Sequence, residues 1–374
     1  MNKEMKIAIN AVAALQGGGV TYLNQILRVW GSLDHLQIDV YGFKKADTEL
    51  SQFKNIQLID APEEVYFSIA GRRKYEKKVL PNIIETKGYD ITFYPSGTIT
   101  GKIKGKAKSV TMFRNMLPFS KRDIAKFSSF KARLRYHVLR RLFLSSYKKA
   151  NHVIFISNYA KSVIENYIKD IGKKSSVIVH GINEQFRLDD KAYNKDSYLL
   201  YVSIFNVYKH QKEIVEGLAQ FKKEKGWAPK LKLVGFVKED YLAELKALIQ
   251  ELNIEAEVEL NGPATYDEQP DLYRNAKAVV FGSTCENCPN ILLESMATGN
   301  PILCSNHQPM PEFLGEKGFY FDPEKPESFA KILNEVIEND EALIEEGKMA
   351  KIRSEQWTWE ETAKKTLQVF ESII

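Results

Sequence analysis

"AVVFGSTCENCPNILLESMATGNPILCSN", residues 278–306, passes from an apolar run through a polar loop and a helical pattern into a second apolar run. AVVFGS and PILCSN are short apolar segments closed by Gly, Ser or Asn, the pattern of parallel strands buried on both faces. Between them, Pro289 suits the first turn of a helix, where its missing N–H costs nothing, and Gly299 with Pro301 suits the helix end. The stretch reads as one βαβ unit, the building block of a parallel α/β sheet.

The same scheme recurs on both sides. KIAINAV, QIDVYGF, DITFYPS, KSVTMF, HVIFIS and SVIVHGI precede residue 190; YLLYVSIF, LKLVGF and VELNGP join the quoted pair after it. Helical periodicity follows these runs. Two series in tandem predict two doubly wound domains, and 374 residues suit two domains at about 150 residues each. The join is expected in NEQFRLDDKAYNKDS, which is polar and has little periodicity. Open parallel sheets bind ligands beyond the carboxyl ends of their strands, so the strand-end loops become the candidate site.

Within 278–306, Glu286 falls in the loop just before the helix and Glu294 in its second turn. The N–H groups near Asn290 and Ile291, with the positive end of the helix dipole, suit an anion. Carboxylates accept hydrogen bonds from vicinal hydroxyls, so a diphosphate carrying a sugar is a candidate ligand. Two glutamates near a helix start can equally be exposed residues that favour the dipole, and the residues alone leave both readings open. Cys285 and Cys288 lack the second Cys or His pair of a zinc site, although a redox pair would also sit at such a strand-to-helix junction. Free cysteines commonly pack as small hydrophobes, and these, like the isolated Cys304, are expected to be bystanders.

The stretch resembles the C-terminal signature of the retaining GT-B glycosyltransferases of family four, which carry Glu-x7-Glu. Ser283, Glu286, Glu294, Met296, Ala297, Gly299 and Pro301 fall on that frame. VELNGPATYDEQPDLYRNAKAVVFGS upstream, PMPEFLGEKGFYFDPEKPESFA downstream and the terminal EQWTWEETAKKTLQVFES extend the resemblance, as do ANHVIFISNYAKSVIENY and SSVIVHGINEQF. It implies an α/β GT-B fold, two Rossmann-like doubly wound domains facing across a deep cleft. Residues 1–190 would bind the acceptor and 191–355 the nucleotide-sugar, with a helix at 356–374 crossing back to the N-terminal domain.

The resemblance also assigns roles. Glu294 maps to the donor ribose and Glu286 to the donor sugar; Lys209, in YVSIFNVYKHQKEIVEGL, maps to the diphosphate. Gly18 and Gly19, in LQGGGVTYL, would face the donor phosphates, although the local sequence reads equally as a tight turn. Arg114 and Asn115, in VTMFRNMLPF, stand where many relatives have a histidine-containing loop; Arg114 would meet the departing diphosphate or an anionic acceptor, or serve the loop's structure. The implied activity is retaining, metal-independent transfer of a hexosyl group from a nucleotide-diphosphate-sugar to a glycan or lipid-linked glycan acceptor. Cell-surface polysaccharide or lipopolysaccharide assembly is the expected setting, with no cofactor and no metal. A GT-B nucleotide-sugar epimerase is the alternative enzyme.

Charge divides the chain. Residues 1–190 hold 32 basic and 17 acidic side chains, a net +15, whereas the remainder is at −10. KRDIAKFSSFKARLRYHVLRRLFLSSYKKA (121–150) has ten basic residues and one acidic, with Leu134, Val138, Leu142 and Ser145 on one helical face. An anionic membrane surface is a candidate partner, each nearby basic residue contributing about 1 kcal/mol; an ordinary core-facing helix is the other reading. A nucleic-acid-binding protein is the non-enzymatic alternative, but the basic half lacks a recognition module and aromatic interleaving, so no nucleic acid is expected. A dinucleotide oxidoreductase is disfavoured because Gly17, Gly18 and Gly19 do not form G-x-G-x-x-G and Phe43, Lys44 and Lys45 close the second strand. The start, MNKEMKIAINAVAAL, reads as a first strand without a cleavage site, and three cysteines do not make a disulfide framework. The expected location is cytoplasmic, peripheral at the inner face of the membrane.

Overall fold

The structure, a computed structural model, describes residues 4–15, 17–187 and 197–374. The join expected at residue 190 lies outside the described residues. The chain forms two compact units: Met1–Phe119, Phe130–Gly181 and Trp357–Ile374 make the first, Ser120–Ser129 and Ile182–Gln356 the second.

The first unit is built on a seven-stranded sheet: β1 (Met5–Asn10), β2 (Leu36–Tyr41), β3 (Ile56–Ile59), β4 (Ile91–Tyr94), β5 (Lys108–Phe113), β6 (His152–Phe155) and β7 (Ser175–Val177). Its order is β3-β2-β1-β4-β5-β6-β7, and every pairing is parallel. The order reverses between β1 and β4, where Ile7 pairs with both Ile38 and Ile91. Central strands need apolar side chains on both faces, and β4 is buried at all four positions. The helix Trp359–Ile373 belongs to this unit; Thr358 caps it by accepting from the Glu361 N–H. Its Phe370 is fully buried, with ring centroids 5.6 Å from Trp30 and 5.3 Å from Phe93. Trp30 Nε1 donates to the Ala363 carbonyl (3.1 Å), which satisfies the one polar atom of that indole in the core.

The second unit repeats the plan with six strands: β8 (Tyr198–Val202), β9 (Leu231–Val234), β10 (Val258–Asn261), β11 (Ala276–Phe281), β12 (Ile302–Ser305) and β13 (Phe319–Phe321). They run in the order β10-β9-β8-β11-β12-β13, again all parallel. β11 and β12 are buried throughout, as the two apolar runs of the opening stretch require. The helix between them spans Asn290–Ala297 and stops at Gly299, which takes the left-handed conformation (φ 74°) that a side chain would resist. Pro289 lies one residue ahead of the expected position, as the N-cap. Both sheets have the Rossmann order, each with one reversal point, the place where open α/β sheets bind ligands.

Candidate functional site

The reversal point of the second sheet lies between β8 and β11, and the loops leaving these two strands carry Lys209 and Glu286. Lys209 is 6% exposed, and its Nζ is hydrogen-bonded to Glu286 Oε1. The Lys209 loop is held from several sides. Tyr201 Oη donates to the Lys209 carbonyl (2.7 Å), the Lys209 N–H to Asn206 O (2.8 Å), and Gln211 Nε2 to Ser203 Oγ (2.9 Å) and Ile204 O (3.1 Å). The Thr284 N–H donates to the Tyr208 carbonyl (2.9 Å), which ties this loop to the one bearing Glu286. Lys209 and Glu286 thus set an amine and a carboxyl group side by side at the reversal point of the sheet.

Glu294 lies in the second turn of Asn290–Ala297, 8% exposed. Tyr266, from the loop after β10, donates to Glu294 Oε1 (3.2 Å). Tyr266 is itself fixed: its ring is 5.2 Å from Phe186, and its carbonyl accepts from Gln185 Nε2 (2.9 Å). Sequence reading missed Tyr266. The available signal was an aromatic residue inside the polar loop NGPATYDEQ. Asn290 and Ile291 are half-buried at the helix start, as placed from the sequence, but the Asn290 N–H donates to the Cys288 carbonyl (3.0 Å). Its amide is therefore engaged in a local turn, contrary to the expected free group. Cys285 and Cys304 are buried, and burial pushes both thiols well above their usual range, the environment of inert packing residues.

In the first unit, Gly18 and Gly19 do not form an open loop; they begin the helix Gly18–Gly31, with Gly17 (φ 64°) as its N-cap. Arg114, at the end of β5, reaches that helix start: Nη2 donates to the Gly18 carbonyl (2.5 Å), and the guanidinium lies 4.9 Å from the centroid of the Tyr22 ring. The structure thus brings Arg114 to Gly18. Asn115 is exposed, and its Oδ1 accepts from the Leu117 N–H (3.2 Å) in a local turn.

Burial pushes the Glu294 carboxyl up to about 8, only partly offset by the Tyr266 hydroxyl; Glu346, which accepts from the Ile302 N–H (2.8 Å), is also raised by burial to about 8. Unfolded, both titrate near 4.5. Between about 4.5 and about 8 the native state keeps protons that the unfolded chain has released, so stability falls as pH rises through that window. The expected slope is up to about 1.4 kcal/mol per pH unit for each group. Urea unfolding across this window measures it. Glu346→Gln should flatten the slope, and an unchanged slope would mean that the Glu346 carboxyl is ionised in the fold.

Residues 182–353 match the family Glycosyl transferases group 1. Among curated relatives, the chain is 23% identical over 205 residues to the O-antigen chain mannosyltransferase RfbU of Salmonella typhimurium, covering 54% of this chain and 56% of that one. It is 28% identical over 192 residues to the N-acetylgalactosamine-N,N'-diacetylbacillosaminyl-diphospho-undecaprenol 4-alpha-N-acetylgalactosaminyltransferase of Campylobacter jejuni, covering 48% and 50%. The chain spans about half the length of these relatives. The crystal structure of Anabaena Alr3699/HepE in complex with UDP and glucose superposes with a TM-score of 0.72 at 19% identity, over 98% of this chain and 100% of that one, a likeness of fold. The match to glycosyl transferases group 1 thus falls on the second unit, and the Rossmann order of both sheets agrees with the likeness of fold.

Proposed function

We propose that the protein is a retaining, metal-independent glycosyltransferase that moves a sugar from a nucleotide-diphosphate-sugar to a glycan acceptor in the assembly of a surface polysaccharide or lipopolysaccharide. The observation that carries this reading is the pairing of buried Lys209 with half-buried Glu286 at the reversal point of the second sheet, with Glu294 in the second turn of the helix that follows. Each group already holds a stand-in for a donor group. Glu286 occupies the amine that would meet the diphosphate, and Tyr266 occupies the carboxylate that would take the ribose hydroxyls. Binding exchanges these internal contacts for ligand contacts of the same kind, so little uncompensated charge is buried on the way.

In the reaction, the bond between the anomeric carbon and the diphosphate oxygen breaks, and its electron pair leaves with the diphosphate. The acceptor hydroxyl forms the new bond on the same face, and its proton passes to the departing phosphate oxygen. Lys209 opposes the negative charge that grows on the leaving group, and Glu286 orients the sugar hydroxyls. Ribose hydroxyls donate best to an ionised Glu294, so donor affinity rises as pH rises towards about 8. Thermal-shift measurements with UDP-, GDP-, ADP- and TDP-sugars identify the donor, because a ligand that binds the native state raises its melting temperature. Product analysis then decides the chemistry: a new glycoside supports transfer, and an isomerised nucleotide-sugar without acceptor would identify an epimerase.

We further propose a lipid-linked acceptor at an anionic membrane surface, a reading supported by the helix Phe130–Lys149. Its Phe143, Ser146 and Tyr147 are buried, whereas Phe130, Leu134 and Val138 are 72%, 51% and 43% exposed on one face among arginines and lysines. No helix among the described residues is long and apolar enough to cross a membrane. Exposed apolar residues at i, i+4 and i+8 with basic flanks suit a helix lying in the interface. Leu134→Glu combined with Val138→Glu should abolish co-sedimentation with vesicles containing anionic lipid, with the melting temperature preserved. Unchanged co-sedimentation, or an equal preference for neutral vesicles, would end this part of the reading.

A further inference from the structure

Residues Ser120–Ser129 lie in sequence between two segments of the first unit, yet they cluster with the second. Charge holds them there. Asp123, on the short helix Lys121–Ala125, is fully buried and accepts from Thr284 Oγ1 (2.7 Å). Arg122 Nη2 donates to the Thr284 carbonyl (3.1 Å), and its Nη1 to Glu324 Oε2 (3.2 Å). Lys126 Nζ lies 3.0 Å from His210 Nε2 and 2.7 Å from Glu324 Oε1. His210 Nε2 is in turn 3.2 Å from Thr284 Oγ1.

Thr284 stands two residues before Glu286, and His210 follows Lys209 directly. One segment therefore grips both loops of the donor site without belonging to either. A fully buried carboxylate is costly unless compensated, and Asp123 has Arg122 and Lys126 each 3.6 Å away. His307, Asp322 and Glu324 bring three ligating atoms within 4.8 Å of one another, the spacing of a cation site. Arg122 Nη1 lies 3.1 Å from His307 Nδ1 and shares Glu324 with Lys126, so this group reads as part of the same ion-pair network.

We propose that Asp123, Arg122 and Lys126 are positioning residues: the segment Ser120–Ser129 clamps the Lys209 loop to the Glu286 loop and sets the separation at which amine and carboxylate meet a sugar diphosphate. The inference rests on the donor-site reading above.

The test uses the full chain. In Lys126→Met and Arg122→Gln, hydrogen–deuterium exchange should rise together at residues 203–211 and 282–289, with the first sheet unchanged, and Lys126→Arg should restore protection. UDP, GDP, ADP and TDP serve as probes, and whichever binds the wild type should bind Lys126→Met roughly tenfold more weakly, the loss of one charged hydrogen bond. Exchange that stays at the wild-type level, rises in one loop alone or rises throughout the chain overturns the clamp, and this measurement needs no ligand. Glu294→Ala separates the two ideas. If it binds nucleotide as the wild type does, the donor-site reading fails; if it loses binding while Lys126→Met keeps it, the clamp alone fails.

Discussion

Lys209→Met is expected to lower kcat by about 10²–10³-fold, the usual effect of removing one group aimed at charge that develops in a transition state. The amine is buried, and its partner Glu286 holds it towards the loop that would receive the donor. Methionine keeps the stem and removes the charge, so the loop's packing survives while the leaving diphosphate loses its cation. Glu286→Gln attacks the same pair from the other side: turnover should fall with little change in donor KM, because the sugar is bound but poorly oriented. Glu294→Ala should instead lose donor binding, since the ribose loses both carboxylate oxygens. Steady-state kinetics with the donor found by thermal shift separates these outcomes, and normal transfer by all three variants would refute the site.

Phe370→Ala should destabilise the first unit by about 3–5 kcal/mol, the usual cost of removing a buried aromatic ring. The ring is fully buried against Trp30 and Phe93, and its helix is further tied by Thr362 Oγ1 donating to the Val179 carbonyl (2.8 Å). The cavity would open in one unit and leave the other intact. Unfolding should then show the first unit melting earlier than in the wild type, with the second unit's transition unmoved. Calorimetry that showed one unshifted peak would mean that the terminal helix contributes little to the first unit's core.

Central strands were all read from the sequence, and the two missed are among the four edge strands. Eleven of the thirteen described strands were legible as short apolar runs. The two missed, β3 and β13, are both sheet edges. β3 is buried at one of four positions and β13 at one of three, so neither needs the continuous apolar run that marks a strand covered on both faces. Glu286 and Glu294 stood out because one loop and one helix place them, which spacing can reveal. Tyr266 and Asp123 could not be read that way: their partners Glu294 and Thr284 lie 28 and 161 residues away. In sequence Asp123 is a lone acid in a basic run, and only the packed chain makes it a buried anchor.

That the residues around Phe370 complete the core containing Trp30 and Phe93 has a consequence for synthesis on the ribosome. Domains ordinarily fold in the order in which they emerge. Here the earlier-made sheet must wait, its aromatic side chains uncovered, until residues 357–374 leave the exit tunnel, whereas residues 182–356 can already have settled. Nascent chains stalled short of residue 357 should therefore expose their amino-terminal half to chaperones and proteases.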